Sequence, residues 1–173
     1  FTRLLRTQLP SGKIITHAPP DSKVVKDSGY FNNLALMKDN IDFLLPQFYN
    51  GPVKLKENGF DGTAKKLFTD LQGTPDAKLF DAKQLVIGVC NGDCIDGYGL
   101  PDPTSTPHSV VTIVDQLNAF VCPNGGIFLY SLNLGTLEQP IAFDANGWGN
   151  AAKTGHLDTC TTAEPAVPTQ APV

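Results

Sequence analysis

The sequence predicts an α/β protein, because short apolar runs of strand type alternate along the chain with amphipathic stretches of helical periodicity. Gly, Pro and Asn, which are typical turn residues, bound the strand-like runs. The helical stretches carry apolar residues three and four positions apart, so one face of each helix is expected to pack on a sheet. This order of elements is typical of parallel strands joined by crossover helices.

Four segments have the strand pattern: residues 13–18, 41–49, 85–89 and 126–130. The second is the most informative, since a largely apolar run ends in Gln47, Tyr49 and Asn50. An apolar run bounded by turn residues fits a buried parallel strand. The polar groups at its end are therefore expected at the edge of the sheet, where α/β proteins carry their binding residues.

Four stretches have the helical pattern: residues 1–9, 28–37, 62–72 and 106–121. In the last of them Thr106 is the expected N-cap and Pro107 suits the first turn. Gly73 and Pro75 are expected to end the third helix. Beyond Cys160 the chain is rich in Thr, Pro and Ala and has little apolar surface to bury, so residues 159–173 are predicted to form an extended tail.

The segment FLLPQFYN, residues 43–50, resembles the sixth barrel strand of glycoside hydrolase family 18, the chitinases and their lectin-like relatives, especially the class III type. The segments KIITHAPP, LVIGV and GIFLYS resemble the fifth, seventh and eighth strands, in the same order. The resemblance implies that residues 1–158 form strands five to eight of a (β/α)8 TIM barrel, the C-terminal half of such a domain.

The catalytic signature of that family, D-x-x-D-x-D-x-E at the end of the fourth strand, does not occur in the sequence, and by the family's order it would lie just before Phe1. The chain has 173 residues, whereas a β/α barrel usually needs roughly 200 or more. We therefore expect the first half of the barrel, with the catalytic acid, on a segment upstream, and a start at Phe1 that reflects processing or truncation.

The resemblance also assigns roles to the residues at the strand ends. The Tyr49 hydroxyl would donate to the N-acetyl carbonyl of the sugar, and Gln47 and Asn50 would support sugar hydroxyls or the intermediate. Tyr130, followed by Ser131, stands where the family usually has a tryptophan under the reacting sugar. The alternative for these residues is structural: Tyr49 as a core aromatic, and the two amides closing a turn at Asn50-Gly51.

Other polar residues give weaker indications. Asp93 and Asp96, with Tyr98, lie in the loop after the third predicted strand, where a solvated acidic loop is favoured over a cation site. His17 could reach a cleft, although a lone histidine at a strand end is usually structural. Three residues near the C-terminus complete the set, as surface candidates or packing groups: Glu138, Asp144 and Trp148.

The chain contains 4 cysteines, which allow three pairings. Their places relative to the barrel strands favour Cys90 with Cys94 and Cys122 with Cys160. Disulfides would place the protein outside the cell, and free thiols in a cytosolic protein are the alternative. No C-x-x-C pair or histidine at ligand spacing predicts a zinc site, and no cofactor is expected.

A formal charge of -4 and a pI near 5.2 argue against nucleic acid as a partner. No apolar stretch approaches the roughly 20 residues that a membrane span requires. The expected partners are a glycan that contains N-acetylglucosamine and the N-terminal half of the same barrel. The expected activity is hydrolysis or binding of chitin-type glycans, with a non-catalytic lectin or extracellular structural protein as the alternative.

Overall fold

The computed structural model describes residues 1–49, 51–90 and 109–130, apart from the side chain of Lys56. Its helices are α1 (Thr2–Gln8), α2 (Gly29–Met37), α3 (Leu55–Asn58), α4 (Thr63–Gln72) and α5 (Val110–Phe120). Its strands are β1 (Thr16–His17), β2 (Phe43–Leu44), β3 (Gly73–Thr74), β4 (Ala77–Lys78), β5 (Ile87–Cys90) and β6 (Ile127–Tyr130). Single turns of 3-10 helix lie at Asp21–Lys23, Lys38–Asn40 and Ala82–Gln84.

The strands β1, β2, β5 and β6 lie side by side in chain order and run parallel. β1 pairs with β2, and β5 pairs with β6 in a register that sets Cys90 opposite Tyr130. Parallel bridges from Leu44 to Leu85 and from Gln47 to Gly88 connect β2 and the residues after it to β5. Helices α2, α4 and α5 lie between successive strands in the sequence, as parallel pairing requires. The α/β class is confirmed, and the numbering of these strands as five to eight stays a prediction.

Regular pairing in the first two strands is shorter than the sequence predicts. The expected strands 13–18 and 41–49 pair as ladders only at Thr16–His17 and Phe43–Leu44. Proline has no backbone N–H to give to a ladder, and prolines follow both strands. The pairing therefore continues beyond them only as isolated bridges, such as Pro20 to Gln47.

The predicted start of α5 is wrong, and the predicted end of α4 is incomplete. Helix α5 begins at Val110, and the Ser109 side chain accepts a hydrogen bond from the Thr112 N–H. The prediction of Thr106 as its N-cap is therefore wrong, because a second good capping residue stands three positions later. After α4 the chain forms an antiparallel hairpin of β3 and β4, which the turn residues Gly73 and Pro75 had predicted only as a helix stop.

The parallel sheet has two different faces. Leu44, Ile87 and Val89 point to the helix side and are at most 1% exposed, within the main apolar core. Successive residues of a strand point to opposite faces, and the alternating residues Phe43 and Leu45 are only partly buried. Helices therefore cover one face of the sheet in the described residues, while apolar side chains of the other face keep contact with solvent.

An ion pair and its hydrogen bonds fasten α1 to the beginning of the sheet. The Arg6 guanidinium donates to Asp42 Oδ2 at 2.6 Å and to the carbonyl oxygens of Lys13 and Asn40. The Ile15 N–H donates to the same carboxylate oxygen at 2.6 Å. The hydrogen bond from the Ile15 N–H, and after it the hydrogen bond from Arg6, lower the pKa of Asp42.

A substitution at Gly88 would test the close packing between β5, β6 and the chain after β2. A methyl group at this position would lie 2.5 Å from Phe128 Cζ and 2.9 Å from the Pro46 carbonyl oxygen. We expect Gly88→Ala to lower the free energy of unfolding by about 1–3 kcal/mol, as overpacking does.

Gly29→Ala is the matched control, because a methyl group there meets no atom within 4 Å. Its effect should stay within about 0.5 kcal/mol. Urea unfolding followed by circular dichroism measures both variants, and equal midpoints for the two would contradict the described packing of β5.

Candidate functional site

The residues predicted at the strand ends lie at one edge of the sheet. Gln47 bridges to Gly88 in β5, and Cys90, the last residue of β5, lies opposite Tyr130, the last residue of β6. Tyr49 follows two residues after Gln47 and packs with Cys90. The parallel arrangement therefore brings together Gln47, Tyr49 and Tyr130, which are 83 positions apart in sequence at most.

The centre of this edge is a pair of stacked tyrosines. The rings of Tyr49 and Tyr130 have centroids 5.5 Å apart and an interplanar angle of 15°. Tyr49 is 2% exposed, whereas Tyr130 is 52% exposed. Tyr49 also contacts Phe128 and Cys90 on the side of the sheet away from the helices. Tyr130 therefore offers the accessible aromatic surface, and the buried Tyr49 ring stacks against it.

Burial also makes ionisation of the Tyr49 phenol less favourable. Loss of solvent, and then the neighbouring Tyr130, raise the pKa of Tyr49 to about 12. Its hydroxyl group is therefore neutral at physiological pH and keeps its proton. A neutral phenol can donate a hydrogen bond to a carbonyl oxygen, as an acetamido-binding group would need to do.

Hydrogen bonds across the gap between the chain segments after β1 and β2 hold Gln47. Its side-chain Nε2 donates to the Ala18 carbonyl oxygen at 2.8 Å, and its backbone N–H donates to the Pro19 carbonyl oxygen at 2.9 Å. The amide group is thus held against the chain segment that follows β1. Asn50 and Ser131, the remaining residues of the predicted rim, lie outside the described residues.

Asp21 belongs to this region and was not singled out by the sequence pattern. Its side chain is fully buried, and its Oδ2 accepts a hydrogen bond from the Val53 N–H at 2.9 Å. The sequence clue is a carboxylate placed directly after Pro19-Pro20 and before the apolar pair Val24-Val25. Such a position is also common in solvated turns, so the clue does not distinguish burial from exposure.

His17 lies on the helix side and not among the strand-end tyrosines. Its Nε2 is 3.0 Å from Thr2 Oγ1, and its Nδ1 is 2.8 Å from the Tyr30 hydroxyl. Burial lowers the pKa of His17. A cleft of about 440 Å³ opens beside it between α1 and α2. The contacts agree with the structural interpretation of this histidine.

Six of the predicted residues lie outside the described part of the chain: Asp93, Asp96, Tyr98, Glu138, Asp144 and Trp148. The described part does include Cys90 and Cys122, neither of which is a free thiol. Their predicted partners, Cys94 and Cys160, lie outside it, so the pairings stay predictions.

Residues 1–49, 51–90 and 109–130 contain neither a metal-binding cluster nor a membrane-spanning helix. Those residues contain no group of three or more His, Cys, Asp or Glu placed to hold a metal ion. None of their helices has the length and apolar character needed to cross a membrane.

Comparisons with known proteins support the fold. A solved GH18 chitinase from Pseudoalteromonas aurantia is similar, with a TM-score of 0.58 and 19% sequence identity. The match covers 90% of this chain and 52% of that chain, so the chain spans about half the length of the chitinase. No family model and no curated protein matches the sequence. The likeness shows that this chain has a fold similar to that of the matched part of the chitinase.

Two tyrosines, Tyr30 and Tyr49, are expected to ionise at unusually high pH. The pKa values of Tyr30 and Tyr49 are both raised to about 12. These two phenols should therefore ionise well above the ordinary tyrosine range. Because each folded pKa is raised, the associated stability is complete below about pH 10 and is lost as the pH rises towards 12.

Ultraviolet difference titration measures this behaviour. Tyr49→Phe should remove one of the late-ionising phenols and leave the other, and Tyr30→Phe should do the same as the matched control. An unchanged late phase in Tyr49→Phe would show that Tyr49 is not buried as described.

Proposed function

We propose that the edge formed by Gln47, Tyr49 and Tyr130 binds glycans that contain N-acetylglucosamine, as part of a chitinase-like glycoside hydrolase of family 18. The observation that carries the proposal is the half-exposed Tyr130 ring stacked on the buried Tyr49 at the carboxyl ends of parallel strands. Binding sites of α/β barrels form at these strand ends. The similarity of the fold to a GH18 chitinase supports the same assignment.

A stacked aromatic pair is a suitable surface for binding a sugar ring. The C–H groups of a pyranose face can pack on an aromatic ring, and a ring that is already held against a neighbour loses little freedom when the sugar binds. The exposed surface of Tyr130 would supply this platform. Tyrosine is smaller than the tryptophan that the resemblance predicts here, so the contact area per sugar would be smaller.

Polar groups around the platform would set the orientation of the acetamido group. The Tyr49 hydroxyl, a neutral phenol whose pKa is raised further by burial, would donate to the N-acetyl carbonyl oxygen. Gln47, fixed by its bond to Ala18, and Asn50 would support sugar hydroxyls. A few well-placed polar groups beside an apolar floor are typical of small-ligand sites.

In this proposal the catalytic acid comes from a further segment of polypeptide. The D-x-x-D-x-D-x-E pattern is absent from the sequence, so the glutamate would lie on the N-terminal half of the barrel. Two observations support a covering half. Phe43 and Leu45 are only partly buried on the open sheet face, and the match covers 52% of the similar chitinase.

Several finer assignments belong to the same proposal. The strands β1, β2, β5 and β6 would be barrel strands five to eight, and residues 159–173 would be an extended tail. The protein would be extracellular and would contain the disulfides Cys90–Cys94 and Cys122–Cys160.

A second candidate is a non-catalytic lectin or extracellular structural protein. Tyr130 in the expected tryptophan position favours it, because the smaller ring offers less support to the sugar at the reacting position. Both candidates use the same platform and differ in whether a glutamate reaches it.

Binding of triacetylchitotriose, measured by isothermal titration calorimetry, tests the platform. Tyr130→Ala should weaken binding at least about tenfold, or about 1.4 kcal/mol, because the exposed ring is removed. Tyr130→Trp should bind at least as tightly as the original protein, since it offers a larger ring. Phe1→Ala is the matched control, because it removes another exposed aromatic, 97% exposed, distant from the strand ends in sequence.

Two outcomes decide between the candidates. Release of shorter oligomers by this chain together with the segment that carries the proposed glutamate would support hydrolysis, and binding without release by that combination would support the lectin. Equal affinity of Tyr130→Ala and the original protein, or no binding by the original protein, would overturn the proposed site.

A further inference from the structure

A buried carboxylate lies between the two loops that form the candidate site. Asp21 follows β1 and is 0% exposed. Burial of an ionised carboxylate is costly unless hydrogen bonds compensate for the lost water. A fully buried carboxylate in a loop therefore indicates that its hydrogen bonds help to fix the conformation of that loop.

The hydrogen bonds of Asp21 connect the loop after β1 to the chain after β2. Its Oδ2 accepts from the Val53 N–H at 2.9 Å, and its backbone N–H donates to the Gln47 carbonyl oxygen at 3.3 Å. Tyr49 lies between these two attachment points in the sequence. The backbone that carries Tyr49 is thus held on both sides by one residue.

Gly51 shows how closely the two loops approach. A methyl group at this position would lie 1.9 Å from Asp21 Oδ1 and 2.9 Å from the Ser22 backbone nitrogen. Real Cβ atoms essentially never show contacts this short, so the Asp21 side chain or the loop backbone must shift if a side chain is added at Gly51. The carboxylate therefore lies directly against the backbone that follows Tyr49.

We infer that Asp21 is a positioning residue that fixes the loop carrying Tyr49 and, through Tyr49, the stack with Tyr130. The effect on the tyrosines follows from the contacts alone. The effect on glycan affinity rests on the proposed function. Because Tyr130 stacks on Tyr49 with an interplanar angle of 15°, a displaced Tyr49 would leave Tyr130 without its support.

Nuclear magnetic resonance of the protein with labelled tyrosines tests the inference without a ligand. The ring signals of Tyr49 are assigned by their loss in Tyr49→Phe. Asp21→Ala should shift or broaden the Tyr49 and Tyr130 signals and leave Tyr30 unchanged. Asp21→Asn should restore much of the original spectrum, since its amide oxygen can still accept from the Val53 N–H.

Two further variants complete the design. Gly51→Ala should disturb the contact between Asp21 and the same loop while keeping the carboxylate. It tests whether this contact positions Tyr49 if Asp21→Ala does not fold. It should change the same tyrosine signals. Asp76→Ala is the matched control, because Asp76 is exposed in the turn between β3 and β4; it should leave all tyrosine signals unchanged.

The affinity for triacetylchitotriose gives the second measurement. A misplaced binding group can cost up to about a hundredfold, so Asp21→Ala should weaken binding at least about tenfold and Asp21→Asn much less. Loss of affinity together with altered Tyr49 signals supports the inference. A lower melting temperature with unchanged tyrosine signals and affinity would overturn it. If the original protein binds no chitotriose, the proposed function fails and the tyrosine spectra still decide the role of Asp21.

Discussion

Parallel pairing of β1, β2, β5 and β6 is the constraint on which the rest of the structure depends. Parallel strands end at the same edge of a sheet, so residues far apart in sequence meet there. The pairing of Cys90 with Tyr130 and the bridge from Gln47 to Gly88 place two tyrosines in one stack. The burial and raised pKa of Tyr49 and the exposure of the Tyr130 ring follow from this convergence.

The sequence predicted the alternation of elements and the edge at which Gln47, Tyr49 and Tyr130 meet, because periodicity and strand-end position depend on local pattern. It did not predict the short ladders, since prolines after β1 and β2 remove donors whose effect depends on the neighbouring strand. The start of α5 was misplaced because Thr106 and Ser109 are both good capping residues. The burial of Asp21 depends on a contact with Val53 that no local pattern contains.

The two sheet faces relate the fold to the proposed function. Helices bury Leu44, Ile87 and Val89 on one side, while Phe43 and Leu45 remain partly exposed on the other. A second polypeptide segment on that face would complete an apolar interior. In the proposed function, the same segment would bring the catalytic glutamate to the strand ends.

The most direct test is a titration of the tyrosine-labelled protein with triacetylchitotriose, followed by nuclear magnetic resonance. The account predicts progressive, saturable shifts of the ring signals of Tyr130 and Tyr49. The signals of Tyr30, which contacts His17 on the helix side, should stay unchanged. Shifts confined to Tyr30, or none at all at high ligand concentration, would contradict a glycan site at this edge.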